Sequence, residues 1–353
     1  MNNTIEKIVK VLLTIIVSFL VGAIFILIID ENPLDAYTAL IEGAFSGKLM
    51  FGTTLANFTP LLLTSIAFAI AAKAGAFNVG VEGEIFLGGI AAAYIGINWT
   101  FLPAPLLYVA CFAGAIIVGA AWAWIPGVLK AYYNVSEVCT TILMNTVAVY
   151  LTSYLVNGPM SGGGVNAQSA DVAVTLKQFM RPSSANVGII ISIIVSILII
   201  VMYYKTSFGF KLKSVGSNPS FSDCMGIDSK KIFVKAMMLS GAIGGLVGCI
   251  EVLGVHGYYL DNFATNLGIN GMLAALIVKS NLVMCPPLAF FLAILRTGAL
   301  RMQQSTGVPK SLVDTITAIF IIFATMDSLF NLDVFKKIKR KKPFDTKLAK
   351  GVK

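Results

Sequence analysis

The chain has 353 residues, of which 57 % are hydrophobic and only 12 % are charged, whereas a soluble domain carries about 25 % charged residues. This composition excludes an ordinary soluble enzyme and indicates a polytopic membrane protein. The formal net charge of +9 does not indicate a nucleic-acid-binding protein, because the basic residues concentrate in a few predicted loops and in the segment 336–353.

Ten apolar stretches predict membrane spans, so we expect an all-α membrane protein with about ten transmembrane helices. A helix needs about 20 residues to cross a hydrocarbon core of about 30 Å. The stretch 268–279 has only 12 residues, which is more typical of a re-entrant or broken helix, so the sequence leaves nine or ten crossings open. The predicted spans are 11–29, 53–72, 76–97, 105–125, 138–156, 187–204, 232–253, 268–279, 282–298 and 313–330.

Lysine and arginine are distributed unevenly between the predicted loops. With the N-terminus in the cytoplasm and ten crossings, most of the 26 Lys and Arg residues fall on the cytoplasmic side, as the positive-inside rule requires. We therefore expect a multi-pass protein of the cell membrane (the inner membrane, where there are two) with both termini in the cytoplasm. The basic tail 336–353 is then expected near anionic lipid headgroups.

Two carboxylates and an amide occur at the start of the predicted span 76–97. Asn78, Glu82 and Glu84 lie among glycines in the stretch GAFNVGVEGE. A charged group in the middle of a span costs about 2.5–3.5 kcal/mol on insertion scales, so such groups usually face a bundle interior or a wet cavity. Asn78 and Glu82 are predicted to share one helix face. Alternatively, Lys73 marks the cytoplasmic edge, where water would solvate both carboxylates.

The stretch FNVGVEGE resembles the FN-[IV]-G-x-EGQ signature of ABC importer permeases for simple sugars and nucleosides, with Glu84 where the signature has Gln. The similarity covers most of residues 55–330, including the stretches SEVCTTILMN and EVLGVHGYYLD. It implies a type II, vitamin-importer-like permease fold. We expect a transmembrane permease domain over 1–335 and, from the run of basic residues, a cytoplasmic tail over 336–353.

Several polar residues in or beside the predicted spans are candidates for the solute path. A membrane-buried Asn either joins helices or lines a path, and the sequence leaves both open. The single histidine excludes a metal site built on two histidines, and a lone His is more often a structural group than a ligand. The candidates are Asn57, Asn78, Glu82, Glu84, Asn145, Glu251, His256 and Asp261, with Asn270 close to the last group.

The predicted cytoplasmic loop 205–235 contains the signals of a helix of about two turns. Asn218 is a good N-cap, Pro219 suits the first helical position, and Gly226 can end the helix in a left-handed conformation. Such a short helix is not stable alone in water. The stretch VGSNPSFSDCMGI resembles a segment of the same permeases, which implies docking on an ATPase. An ordinary solvated loop is the alternative. The residues concerned are Gly216, Asn218, Pro219, Phe221, Asp223, Met225, Gly226 and Ile227.

The resemblance implies a permease subunit of a binding-protein-dependent ABC importer, for nucleosides or, second, simple sugars. The chain itself would be no enzyme and would bind no cofactor or metal, because ATP and Mg²⁺ would sit on a separate ATPase. The implied partners are that ATPase, a second homologous permease in a heterodimer, an extracellular substrate-binding lipoprotein and membrane lipids, but not nucleic acid.

Two other function classes compete with this hypothesis. An ion-coupled secondary transporter could use Glu82 as its coupling carboxylate, since such transporters also have broken helices and polar groups near the midplane. An intramembrane hydrolase is the weaker alternative, because the sequence offers no Ser–His pair in a suitable context.

Overall fold

The computed structural model describes residues 16–164 and 166–325. Within these ranges the regular structure is helical, and the only β-type pairings are isolated bridges such as Gln168 with Leu260. The predictions for 11–15, for 326–330 and for the tail 336–353 fall outside the described residues.

The helices follow one another with short connections, apart from the long segment between α6 and α7 and the residues 257–266 before α11. α10 continues directly into a π-helical turn, Val252–His256. In chain order the helices are α1 (Ile16–Ile28), α2 (Pro33–Phe45), α3 (Gly47–Lys73), α4 (Val81–Asn98), α5 (Ala104–Tyr133), α6 (Glu137–Asn157), α7 (Gly188–Lys205), α8 (Ser207–Ser217), α9 (Pro219–Cys224), α10 (Ser229–Glu251), α11 (Leu267–Ile277), α12 (Cys285–Thr306) and α13 (Lys310–Thr325).

Among the described residues, 6 helices are long and apolar enough to cross a membrane, namely α3, α5, α6, α7, α10 with its π turn, and α12. The helices α1 and α2 meet at 118° and could together supply one more span. The prediction of an all-α membrane protein is confirmed, whereas these helices do not establish ten crossings. The predicted short piece 268–279 corresponds to α11, an apolar helix of 11 residues.

The centre of the bundle is formed by α3, α4, α5 and α10, and glycines let these backbones come close together. A Cβ atom on Gly245 would overlap the carbonyl group of Ala115 in α5, and one on Gly88 would overlap the backbone of Gly245. Small residues at helix crossings are the usual means of close packing inside a membrane. This packing fixes the position of α4 against α10.

The helix predicted from residue 76 begins instead at Val81. α3 ends at Lys73, Gly75 follows with φ of +80°, and residues 76–78 have no regular structure. The Asn78 side chain accepts a hydrogen bond from the Gly80 N–H at 2.9 Å, and such local bonds compete with helix formation. The prediction that Asn78 and Glu82 share one helix face is therefore wrong.

The region predicted as the loop 205–235 contains the helices α8 and α9 and the start of α10 at Ser229. α8 was not predicted; Thr206 caps it by accepting a bond from the Gly209 N–H at 3.3 Å. α9 confirms the predicted short helix, because the Asn218 side chain accepts the Phe221 N–H at 3.0 Å and Pro219 occupies the first position. Gly226 follows with φ of +78°, as predicted.

The long segment between α6 and α7 packs across the end of α10. The Ser169 N–H donates to the Tyr259 carbonyl at 2.9 Å, and the Leu176 N–H donates to the Leu253 carbonyl at 2.7 Å. These bonds tie the segment to the π turn and to the chain that follows it.

Candidate functional site: a polar centre where α4 and α11 begin

Asn78 is fully buried and joins the start of α4 to α10. Its side-chain NH₂ donates to Glu84 Oε1 at 2.8 Å and to Ser240 Oγ at 2.9 Å, while its oxygen accepts from the Gly80 N–H. Every polar atom of this amide therefore has a partner, which is the condition for burying it without a large free-energy cost. The second oxygen of Glu84 has no hydrogen-bond partner among the described residues.

Asn145 connects α6 to the same place. Its NH₂ donates to the Val79 carbonyl at 2.9 Å, and its oxygen accepts from the Gly83 N–H at 2.8 Å. The first N–H groups of a helix have no partner within the helix, so Asn145 supplies one from outside. At a rise of 1.5 Å per residue, Asn145 lies about 12 Å along α6 from its first residue, which places these contacts well inside the bundle.

Glu82 lies where the start of α4 meets the start of α11. Its half-buried carboxylate faces the backbone N–H groups of Asn266, Gly268 and Ile269, and its Oε2 atom has no hydrogen-bond partner among the described residues. A Cβ atom on Gly268 would lie 2.6 Å from the Glu82 nitrogen, so the glycine permits this approach. A carboxylate at a helix N-terminus is favourable, because it pairs with unbonded N–H groups and with the positive end of the helix dipole.

The other candidate path residues lie away from this centre. Asn57 in α3 donates to Thr297 Oγ1 in α12 at 3.0 Å, and Asp261 accepts from Ser153 Oγ in α6 at 3.1 Å. His256 lines a cavity of about 230 Å³ beside the segment 175–181.

Glu251 is buried at the end of α10, within electrostatic range of Arg296 in α12. The structure thus brings Asn78, Glu82, Glu84 and Asn145 together. Glu251 at the end of α10, and His256 and Asp261 after it, each have different neighbours and form no second cluster among the described contacts. Asn57 also lies apart from the first group.

The short helix α9 and Met225, the residue at its C-terminal cap, carry exposed apolar side chains. Phe221 is 61 % exposed and Met225 is 66 % exposed. The Asp223 carboxylate accepts from both the N–H and the hydroxyl of Ser229, each at 2.9 Å, which ties α9 to the start of α10. Ile227 donates its N–H to the Ser222 carbonyl at 2.9 Å and closes the turn after α9.

Gly216 belongs to α8 and not to the short helix. A Cβ atom there would overlap the carbonyl group of Lys73, so α8 presses against the end of α3. Next to α9, Asp228 caps α10, and the bond from the Lys231 N–H lowers the pKa of the Asp228 carboxyl.

Comparison with known proteins decides the family. Residues 50–325 match the family described as the permease component of branched-chain amino acid transport systems. The chain belongs to this family of ABC transporter permeases. No solved structure matches the permease.

Three curated relatives align with most of the permease. It is 29 % identical to the nucleoside ABC transporter permease protein NupB of Lactococcus lactis, over 100 % of both chains. It is 31 % identical to the guanosine ABC transporter permease protein NupP of Bacillus subtilis, over 94 % of this chain and 96 % of the relative. It is also 31 % identical to the glucose ABC transporter permease protein TsgB13 of Haloferax volcanii, over 90 % and 87 %.

L. lactis and B. subtilis each have a second permease that is similar to this chain. NupC of L. lactis is 24 % identical over 66 % of this chain, and NupQ of B. subtilis is 25 % identical over 57 %.

Several residues that complete these contacts in the permease were not predicted as site residues from the sequence. Ser240 could have been noticed as the first residue of a glycine-rich stretch, SGAIGG. Thr297, Ser153 and Arg296 carry no local signal, because only the packing of distant helices reveals their partners. Within 16–164 and 166–325, no three His, Cys, Asp or Glu side chains are grouped as a metal would require.

Proposed function

We propose that this permease subunit moves nucleosides inward as part of a binding-protein-dependent importer, with simple sugars as the second substrate class. The observation that carries the proposal is the similarity over nearly the whole chain to NupB and NupP, which are named for nucleosides and guanosine. TsgB13, named for glucose, supports the second class. Nucleosides and glucose are both uncharged solutes rich in hydroxyl groups.

A separate ATPase, which binds ATP and Mg²⁺ and docks on α9, would drive import by this transporter. An ATPase can switch the permease only through contacts that differ between its states. The exposed side chains of Phe221 and Met225 on a well-capped helix would supply such contacts. On this proposal the permease itself catalyses no reaction and binds no cofactor.

Two connections would carry a movement of α9 to the polar centre. The first runs from Asp223 through Ser229 into α10, which holds Ser240 against Asn78. The second runs from α8, where Gly216 presses on Lys73, into the segment that leads to Asn78. Both are contiguous packed contacts, which is the physical requirement for coupling between distant sites.

The assembly would include a second, homologous permease and an external substrate-binding lipoprotein. The pairs NupB with NupC and NupP with NupQ, each within one bacterium, support a heterodimer. With both termini in the cytoplasm, α9 and the Lys residues around it would face the ATPase, in agreement with the positive-inside rule.

Uptake of radiolabelled guanosine, uridine and glucose by cells with and without the chain tests the substrate class. We expect the deletion to abolish uptake of at least one nucleoside and a plasmid copy to restore it. Unchanged uptake of all tested nucleosides in the deletion strain would contradict the nucleoside proposal.

The docking role is tested with the double substitution Phe221→Ala and Met225→Ala. We expect normal amounts of protein in the membrane but strongly reduced uptake, and loss of the ATPase from material purified in mild detergent. Phe210→Ala is the matched control, because Phe210 is a similarly exposed phenylalanine, at 65 %, on the neighbouring helix α8.

Accumulation of solute by the purified chain alone, driven by an ion gradient, would favour the ion-coupled alternative.

A further inference from the structure

After the π turn, residues 257–266 run without helical structure beside the middle of α4. The Phe263 ring lies 5.6 Å from the Phe86 ring and 5.2 Å from the Tyr259 ring, measured between centroids. A few residues later, Gly268 lies against Glu82. Since Phe86 and Glu82 both belong to α4, which packs at the centre of the bundle, the segment follows α4 into the bundle.

One side of this segment is exposed and polar. Asn262, Thr265 and Asn266 are exposed, and Asn270 in the first turn of α11 is partly exposed, next to the exposed apolar side chain of Ile269. Phe263 and Ala264 pack inward. We call Asn262, Thr265, Asn266 and Asn270 the asparagine strip. The exposed face of α7 is different, since large exposed residues such as Ile194 and Ile197 are apolar there, as contact with lipid requires.

Hydrocarbon cannot cover the asparagine strip. Non-helical backbone at membrane depth is tolerated only where protein buries it or where it lines a water-filled cavity. Exposed amides add to this constraint, because moving an amide from water into hydrocarbon without a hydrogen-bond partner costs several kcal/mol. The strip therefore faces water or protein.

The backbone of the strip is held in place. Asn262 and Asn266 have φ of +56° and +65°, a left-handed conformation that asparagine tolerates better than most residues. The N–H of Asn266 faces the Glu82 carboxylate, and Thr265 Oγ1 donates to the Asn262 carbonyl at 2.8 Å. The amide side chains therefore project from a fixed backbone.

The chemistry of the strip selects for an uncharged solute. Amide side chains both donate and accept hydrogen bonds, which suits hydroxyl and amide groups. The segment 257–270 contains no Lys or Arg, and the carboxyl groups of Asp261 and Glu82 lie in or beside it. The segment itself offers a phosphate group no Lys or Arg side chain, so a phosphate is disfavoured beside it.

We propose that the asparagine strip lines the solute path and hydrogen-bonds an uncharged, hydroxyl-bearing solute on its way through the permease. The choice of a nucleoside as that solute rests on the proposed function. The placement of the strip on the path does not depend on it.

Accessibility of single cysteines tests the proposal in cells that carry the whole transporter. The exposed residues Cys139 and Cys224 are first replaced by Ser, while the buried Cys111, Cys249 and Cys285 stay. Asn262→Cys and Asn266→Cys are then treated with a charged, water-soluble methanethiosulfonate. Ile194→Cys is the matched control, because its side chain is 51 % exposed on the apolar face of α7.

We expect both strip variants to react at least about tenfold faster than Ile194→Cys, because the reactive thiolate forms only in water. We also expect saturating guanosine or another transported nucleoside to slow the modification of Asn266→Cys, while the matching nucleoside monophosphate does not. Strip variants that react as slowly as the control would overturn the proposal, even where uptake is normal, since the strip would then be packed dry against protein.

Two further outcomes separate this proposal from the nucleoside proposal. Fast labelling in a transporter that takes up no nucleoside would leave the strip on the path and reject the substrate class. Fast labelling without protection by a transported solute, combined with unchanged uptake kinetics in Asn266→Ala, would reject the contact between strip and solute.

Discussion

The helices α3 and α6 are both long and apolar enough to span a membrane, yet α3 is packed inside the bundle and α6 is largely exposed on its surface. In the most apolar window of α3, 78 % of the residues are buried, against 17 % in α6. Mean hydropathy differs much less, at 1.8 for α3 and 1.4 for α6. Lipid is as apolar as leucine, so hydrophobicity does not decide which span is central. Close backbone contacts and buried polar bonds decide it.

The same contrast separates the centre of the bundle from the outward face of α6. Near the centre, the side chain of Asn78 holds three other groups, and Gly245 touches a neighbouring helix directly. In α6, Thr146 is exposed and, among the described residues, its side chain bonds only to the carbonyl of Ile142 in its own helix. Substitutions at the centre should therefore be costly and substitutions on the lipid side almost neutral.

Gly245→Leu should have the largest effect. A side chain at this position would collide with the backbone of Ala115. Because the backbone cannot move aside, we expect the overpacking to lower the free energy of unfolding by about 3 kcal/mol or more. We expect the protein to be nearly absent from the membrane fraction and to unfold at a clearly lower temperature in detergent. Gly164→Leu is the control, because nothing lies within 4 Å of a Cβ atom there. Equal amounts of both variants would disprove close packing of α10 on α5.

Asn78→Ala should come next. It removes the bonds to Glu84, Ser240 and Gly80, and each buried group that loses its partner costs about 1–3 kcal/mol. We expect lower thermal stability and loss of uptake. Asn98→Ala serves as the comparison, because Asn98 is exposed and its side chain bonds to Tyr94 in the same helix. A melting temperature unchanged by Asn78→Ala would show that the polar centre is not buried.

Glu82→Gln and Glu82→Leu separate capping from charge. Gln keeps an oxygen that can accept hydrogen bonds from the N–H groups at the start of α11. The Gln variant should therefore lose only the charge–dipole contribution to the free energy of unfolding, about 0.5–2 kcal/mol. Leu loses the acceptor as well and should be the more destabilised variant. Thermal unfolding and uptake are measured side by side. A Gln variant as unstable as the Leu variant would contradict the capping role.

Thr146→Val should have the smallest effect, within about 0.5 kcal/mol of the parent chain. Its side chain is exposed and makes no bond to another helix of the described chain. Thermal unfolding provides the measurement. A loss as large as that of Asn78→Ala would mean that another protein covers this part of α6.

The sequence predicts α9 well and the polar centre only in part. The bond from Phe221 to Asn218 spans three residues, so the capping signals are local. Asn78 and Ser240 are 162 positions apart, and no local pattern reveals that contact. The partners of Glu82 are backbone N–H groups, which leave no trace in the residue types. The sequence therefore indicates that Glu82 matters but not that it caps α11.

α8 was missed for another reason. Its lysines and its short length favour a loop on composition alone, whereas Leu212 and Val215, three residues apart on one face, are both buried. The number of crossings also depends on tertiary structure, since α1 and α2 bend and α11 is short.

The brevity of α11 has a consequence for biogenesis. Its 11 residues extend about 16 Å, too little to leave the translocon as an independent span of a bilayer about 30 Å thick. We expect α11 to enter the membrane together with α12, after α4 is already in place to receive it. Nascent chains that stop before α12 should therefore leave this segment in water, where glycosylation or protease mapping of truncated translation products can detect it.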